Sequence, residues 1–199
     1  MLHGMAWTLG RTIEPTETPV TLPEAKHHLR VDDDEEDSLI EGLNQAATNW
    51  VEEYTGRQLV DATWLLTLDR FPLLDELLLP RPPVNAITSI TYHDSEGNAL
   101  VMPAADYVLD NSSDYGLHRL YLAEGADWPS EALRRAAGVE ILYAAGYGGA
   151  ETVPDQFKSG IKMVAGSLYE NRETEITGTI TSQLKHSAEW VLFPYRVWL

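Results

Sequence analysis

The apolar positions of this chain change period twice along its length. Between Leu39 and Tyr54 they fall at Leu39, Leu43, Ala46, Ala47, Trp50, Val51 and Tyr54, stepping by four, three, one, three, one and three, which is a single stripe of an amphipathic helix. Gly56 follows as its C-cap, and burial of the stripe makes this helix the spine of a helical core, so that Trp50→Ala is expected to damage folding. Ahead of it, Thr21-Leu-Pro-Glu24 has the form of a capping box with proline in the first turn, and a short helix is predicted from there to near Arg30. Helical spacing returns after Pro154 in Phe157, Ile161, Val164, Ala165 and Leu168. A last short helix is predicted after Ser182, through Leu184, Ala188, Val191 and Leu192.

After Asp61 the pattern shortens. Residues 63–68, 77–79, 86–92, 106–109, 117–121 and 139–143 are β-prone runs separated by Pro, Gly, Asn and Asp, as expected of a small antiparallel domain. Pro80-Arg-Pro-Pro83 reads as an extended connector and Ser95-Glu-Gly-Asn98 as a hairpin turn. The predicted fold is therefore α+β: a helical core of about four helices, residues 20–61 and 150–193, with an inserted antiparallel β-domain, residues 62–149, and extended termini. Residues 1–19 carry Gly4, Gly10, Pro15 and Pro19 without a sustained apolar period and are expected to be an arm that orders only on contact, with Trp7 as its anchor. Residues 173–181, rich in Thr with one Gly, suggest a hinge.

Charge adds a constraint. Of 199 residues, 14 are Lys or Arg and 31 are Asp or Glu, a formal net charge of −17, which disfavours a protein that grips phosphates along a duplex. The acidity serves either solubility or a surface past which DNA slides without sticking. Six of the acidic residues form one run, Asp32, Asp33, Asp34, Glu35, Glu36 and Asp37, placed where it suits the positive end of the following helix dipole. An EF-hand loop would need glycine where Asp37 stands, so no metal is assigned to the run. With no cysteine, disulfide scaffolds, cysteine-ligated zinc and cysteine nucleophiles are excluded. No apolar stretch approaches a membrane span and no leader pattern opens the chain, so a soluble protein made in the cytoplasm is expected.

Catalytic patterns fail in turn. His27 and His28 are adjacent and diverge on a helix, Gly146-Tyr-Gly-Gly149 lacks the Lys-Ser/Thr pair of a phosphate cradle, and neither a zinc-protease helix nor a nucleophile elbow is present. Glu52, Glu53 and Glu140 are carboxylates without a fixed partner across a cleft. No catalytic residue, cofactor or metal is assigned, and a non-enzymatic protein is expected. The chain ends in Phe193-Pro-Tyr-Arg-Val-Trp-Leu199, where Pro194 stops the helix. An aromatic terminus packs on its own core or on a neighbour, and the second is the expectation for Tyr195, Arg196, Val197, Trp198 and Leu199.

One ordered set of motifs carries a resemblance. Pro19-Val-Thr-Leu-Pro-Glu-Ala-Lys26, His28-Leu-Arg-Val31, the acidic run, Trp50-Val-Glu-Glu-Tyr-Thr-Gly-Arg57 and Leu79-Pro-Arg-Pro-Pro-Val84 are followed by Tyr92, Asp106-Tyr-Val108, Trp128-Pro129, Ala145-Gly-Tyr-Gly148, Val153-Pro154 and Tyr169-Glu-Asn-Arg172. In that order, over most of residues 19–173, the chain resembles the head-to-tail connector (adaptor) proteins of tailed phages and phage-derived gene transfer particles. The resemblance implies a ring, commonly of twelve copies, in the virion neck between the portal protein and the stopper or tail proteins, through which DNA passes without specific binding and with no membrane involved. It also implies that the C-terminal segment reaches the portal, in line with the aromatic end, and that the acidic run faces the channel or the ring exterior. A transient assembly chaperone or scaffold is the alternative, and a cellular enzyme of similar architecture a more distant one.

Overall fold

The computed structural model describes residues 6–113, 116–171 and 188–198. In chain order the elements are β1 (Trp7–Ile13), α1 (Leu22–Leu29), α2 (Asp37–Thr55), β2 (Ala62–Leu68), β3 (Glu76–Leu79), β4 (Val84–His93), β5 (Ala99–Val101), β6 (Tyr107–Asp110), β7 (His118–Leu122), β8 (Val139–Ala145) and α3 (Asp155–Glu170), with residues 188–192 helical again. They form two compact units. A β unit takes the described parts of Met1–Pro15, Asp61–Gly146 and Val197–Leu199, and a helical unit those of Thr16–Val60 and Tyr147–Arg196. The architecture is α+β.

The β unit holds a five-stranded antiparallel sheet in the order β1-β2-β8-β4-β5 and a three-stranded one in the order β3-β7-β6. Strict alternation builds its core: β2 buries Ala62, Trp64, Leu66 and Leu68, while β8 buries Val139, Ile141, Tyr143 and Ala145. Cross-strand register sets Trp64 opposite Tyr143, Leu66 opposite Ile141 and Leu68 opposite Val139. The Tyr143 hydroxyl donates to the Pro80 carbonyl at 2.8 Å, and burial pushes its pKa well above the usual phenol range.

Three expectations change here. The N-terminal arm is not free: Trp7–Ile13 is a strand paired with β2, because an open sheet edge offers its backbone groups the partners that an isolated segment lacks. The β unit therefore draws chain from both sides of the first two helices and is not a simple insertion. The Pro80-Arg-Pro-Pro83 segment is not an extended connector but a bend, with Arg81 at a φ of 61° and a cis bond between Pro82 and Pro83. The 95–98 turn does form. Asp94 accepts from the backbone N–H of Glu96 and of Asn98 at 2.9 Å each, and Gly97 supplies the left-handed residue at φ 90°.

In the helical unit Thr21 and Glu24 make the reciprocal capping box, and α2 ends at Gly56 in the left-handed conformation. The α2 face that turns inward is rotated from the sequence stripe. It consists of Ile40, Asn44, Ala47, Thr48, Val51, Glu52 and Thr55, while Leu39 is exposed and Leu43, Trp50 and Tyr54 are half-buried. Polar side chains can occupy it because each has a partner: the hydroxyls of Thr48 and Thr55 donate to the carbonyls of Asn44 and Val51, and the Asn44 amide donates to the Val20 carbonyl at 2.6 Å. Trp50 is thus a flank of the helix, stacked on Tyr54 at 5.1 Å, and its removal strips a half-buried face, not the spine. Helix α3 follows its predicted pattern at Phe157, Ile161 and Ala165, which are buried, while Leu168 is exposed. The hinge predicted at 173–181 and the start of the last helix lie outside the described residues.

Candidate functional site

The chemistry-bearing features of the helical unit gather around the C-terminal segment. Ala188 and Leu192 are buried, and Leu192 lies so close to α3 that a Cβ on Gly160 would meet its side chain at 2.9 Å. Arg57, itself buried just past α2, donates from Nε to the Tyr195 carbonyl at 2.7 Å and from a terminal nitrogen to the Tyr147 hydroxyl at 3.4 Å. The Phe157 ring sits between those two residues, 5.6 Å from Tyr147 and 5.4 Å from Tyr195. Arg196 lies over the Tyr54 ring at 5.0 Å, and the Tyr54 hydroxyl reaches the Glu189 carbonyl at 3.5 Å.

This arrangement divides the aromatic end. Tyr195 and Arg196, expected to meet another protein, are tied to their own helical unit, because Arg57 supplies a buried charged donor that the Tyr195 carbonyl satisfies. Val197 is half-buried and Leu199 lies outside the described residues. Trp198 is 63% exposed. Sequence reasoning missed Trp190 and took Phe193 only as the start of the aromatic end, outside the residues expected to make the contact; the two stand 80% and 60% exposed and, with Tyr54, Glu189 and Pro194, line an apolar groove of about 390 Å3. Their signal was available: on a helix through Ala188 and Leu192, position 190 falls on the opposite face.

The acidic run forms the turn into α2. Asp32, Asp33, Asp34 and Glu35 are exposed and Glu36 and Asp37 half-buried. One cation serves two of them: Lys26 Nζ lies 2.6 Å from both Asp34 and Asp37. Hydrogen bonds to Asp34 and then Asp37 raise the Lys26 pKa, and the bond from Lys26 lowers that of Asp34. Glu36 accepts from the Tyr169 hydroxyl, and the Glu35 N–H donates to Asp33. Since the Asp34 carboxyl titrates below its usual range in the folded chain, the clamp's support is present above that range and lost as pH falls through the lowered value. Lys26→Met is expected to leave the neutral-pH melting temperature within a few degrees of wild type while flattening its fall on acidification, as calorimetry across pH would show. Among the described residues no group of three or more His, Asp or Glu could hold a metal ion, and no helix is long and apolar enough to cross a membrane.

The buried carboxylate, Glu52, is committed to structure: it accepts from Gln58 Nε2 at 2.7 Å and from the Leu59 N–H at 3.1 Å, closing the turn after α2. Glu140 is likewise paired, with Arg134 at 2.9 Å and His93 at 3.3 Å. At the Gly146-Tyr-Gly-Gly149 loop, Gly146 has φ 141° and a Cβ there would meet the Asp61 backbone at 2.6 Å, so the glycine serves a close approach of two chain segments.

The segment from Pro19 through the first two helices and into the β unit is the part of the chain that a known sequence family describes. Residues 19–99 match the phage gp6-like head-tail connector protein family. The resemblance seen in the motifs of this region is thereby a family match. No curated protein sequence matches significantly. The fold is similar along nearly the whole chain to solved structures of gene transfer agent (GTA) particles. A chain in the virion of a native GTA particle is 23% identical with a TM-score of 0.79, and chains in the neck of an empty GTA particle computed with C6 symmetry and of a native one computed with C12 symmetry are each 21% identical with a TM-score of 0.77. Each match covers 96% of this chain and 96% of the other.

Proposed function

We propose that this chain is a structural, non-enzymatic adaptor subunit of a phage-type neck, forming a ring, of twelve copies, between the portal and the stopper or tail proteins. The observation that carries this reading is the coincidence of the connector-family match over residues 19–99 with a fold shared over 96% of the chain with neck components of GTA particles. The charge fits such a passage. A subunit of −17 repeated around a channel repels DNA phosphates within a Debye length of about 8 Å, so DNA passes without being held. The exposed part of the acidic run, Asp32 to Glu35, faces the channel or the ring exterior, since like charges repeated across a subunit interface oppose assembly.

The portal contact falls to the end of the chain. Because Tyr195 and Arg196 are held within the helical unit, truncation after Arg196 is expected to leave the melting temperature unchanged within a few degrees while preventing attachment to filled heads. Heads and tails that still join at wild-type yield would remove the portal role from Val197, Trp198 and Leu199. Quantitative mass spectrometry of purified particles tests the function itself. A fixed copy number in finished particles is expected, whereas presence only in assembly intermediates would favour a transient chaperone.

A further inference from the structure

The two most exposed large apolar side chains among the described residues are Leu73, at 91%, and Trp190, at 80%. Neither is on a loose end. Leu73 and its neighbour Leu74, 58% exposed, project from a loop of the β unit whose base is fastened on three sides. Buried Phe71 stacks on Trp128 at 5.2 Å and meets Tyr92 edge-on at 5.7 Å, Trp128 Nε1 donates to the Leu74 carbonyl at 2.9 Å, and the Leu122 N–H donates to the Asp75 carbonyl at 2.9 Å. An ordered loop that holds two leucines in water presents them to something. Trp190, with Phe193 and Pro194, forms the wall of the groove on the helical unit.

We infer that the Leu73–Leu74 knob of one copy seats in the Tyr54–Trp190–Phe193 groove of the next copy, as one of the contacts that close the ring. A ring related by rotation needs a heterologous interface, in which each subunit offers two different and complementary faces. One knob and one groove per chain satisfy that count in every copy, and a groove of about 390 Å3 has room for two branched side chains. The flanking charges are complementary as well: Arg70 and Asp75 bracket the knob, while Glu189 lines the groove and Arg196 lies over Tyr54, one of its walls. This inference rests on the ring proposed above.

The chain has no cysteine, so paired cysteines report the contact without background. In purified particles carrying the full chain with Leu74→Cys and Phe193→Cys together, a short bismaleimide is expected to yield a ladder of covalent multiples of the subunit under denaturing conditions. Each single-cysteine variant is expected to yield none beyond a dimer. Leu73→Asp is the independent check, since a side chain so exposed bears little on folding: an unchanged melting temperature with at least a tenfold fall in copies per particle is expected. Absence of the ladder in particles with wild-type copy number, wild-type occupancy by Leu73→Asp, or cross-links from residue 193 to a different protein would overturn the inference. Failure of the ring itself reads out separately, as absence of the wild-type chain from particles.

Discussion

Phe157→Ala is expected to destabilise the chain by about 3–5 kcal/mol, the range for deleting a fully buried aromatic ring, and to loosen the C-terminal segment with it. The ring is the common neighbour of Tyr147 and Tyr195, and both of those are also reached by the Arg57 guanidinium. Emptying that space leaves Tyr195 packed against a void, so the helical turn bearing Trp190 loses part of its seat. Urea denaturation would show a lowered midpoint at unchanged slope. Amide exchange would show faster opening at residues 188–196 than in α2 if the segment detaches first. Phe157→Leu, which keeps most of the volume, is expected to cost less than half as much. In particles, the alanine variant is expected to lose head attachment even where it remains soluble, because the residues proposed to meet portal and neighbour ride on this segment.

Glu52→Ala is expected to cost about 2–5 kcal/mol for a different reason. Its carboxylate is buried and takes hydrogen bonds from Gln58 Nε2 and the Leu59 N–H, and deletion removes both bonds away from water, at about 1–3 kcal/mol for a donor left without an acceptor. Gln58 Nε2 keeps its second bond, to the Val60 carbonyl at 2.8 Å, and the backbone N–H of Leu59 is the more costly loss. Glu52→Gln retains an acceptor oxygen and is expected to recover at least half of the difference, which a pair of denaturation curves would decide. Equal damage from the two variants would mean that the charge, not the acceptor, holds the turn.

Local signals in the chain transferred well to the structure. The capping box at Thr21 and Glu24, the Gly56 cap, the α3 pattern around Phe157 and the 95–98 turn are governed by neighbours a few residues apart, and they form as their spacing implies. What depended on distant chain was harder to see. β1 pairs with β2 fifty or more residues later, and Gly10 in its middle obscures the period-two order of Leu9 and Arg11, its half-buried positions. The α2 face was mistaken by one position because Thr48 and Glu52 bond within their own helix and the turn after it, and Asn44 bonds the Val20 carbonyl ahead of α1, solutions that hydrophobic counting does not register. At the C-terminus the aromatic content was plain, but which residues stay home was not. That choice is made by Arg57, which lies 138 positions from Tyr195 in sequence.

The acidity has a comparable duality. Lys26 shows that part of the run Asp32–Asp37 is a helix-entry turn held by one cation, with Glu36 half-buried against the Tyr169 hydroxyl, while Asp32, Asp33 and Glu35 stay exposed. A local structural use and a repulsive surface are compatible in one segment, since the first consumes Asp34 and Asp37 and leaves Asp32, Asp33 and Glu35 to the second.

The measurement that bears most directly on the neck assignment is cryo-electron microscopy of purified particles that carry this chain, averaged over the junction of head and tail. The expected result is a twelvefold ring directly beneath the portal, with density that accepts α2 and α3 and places Trp198 against a portal subunit. Particles with intact heads and tails whose junction has no density for this chain would contradict it.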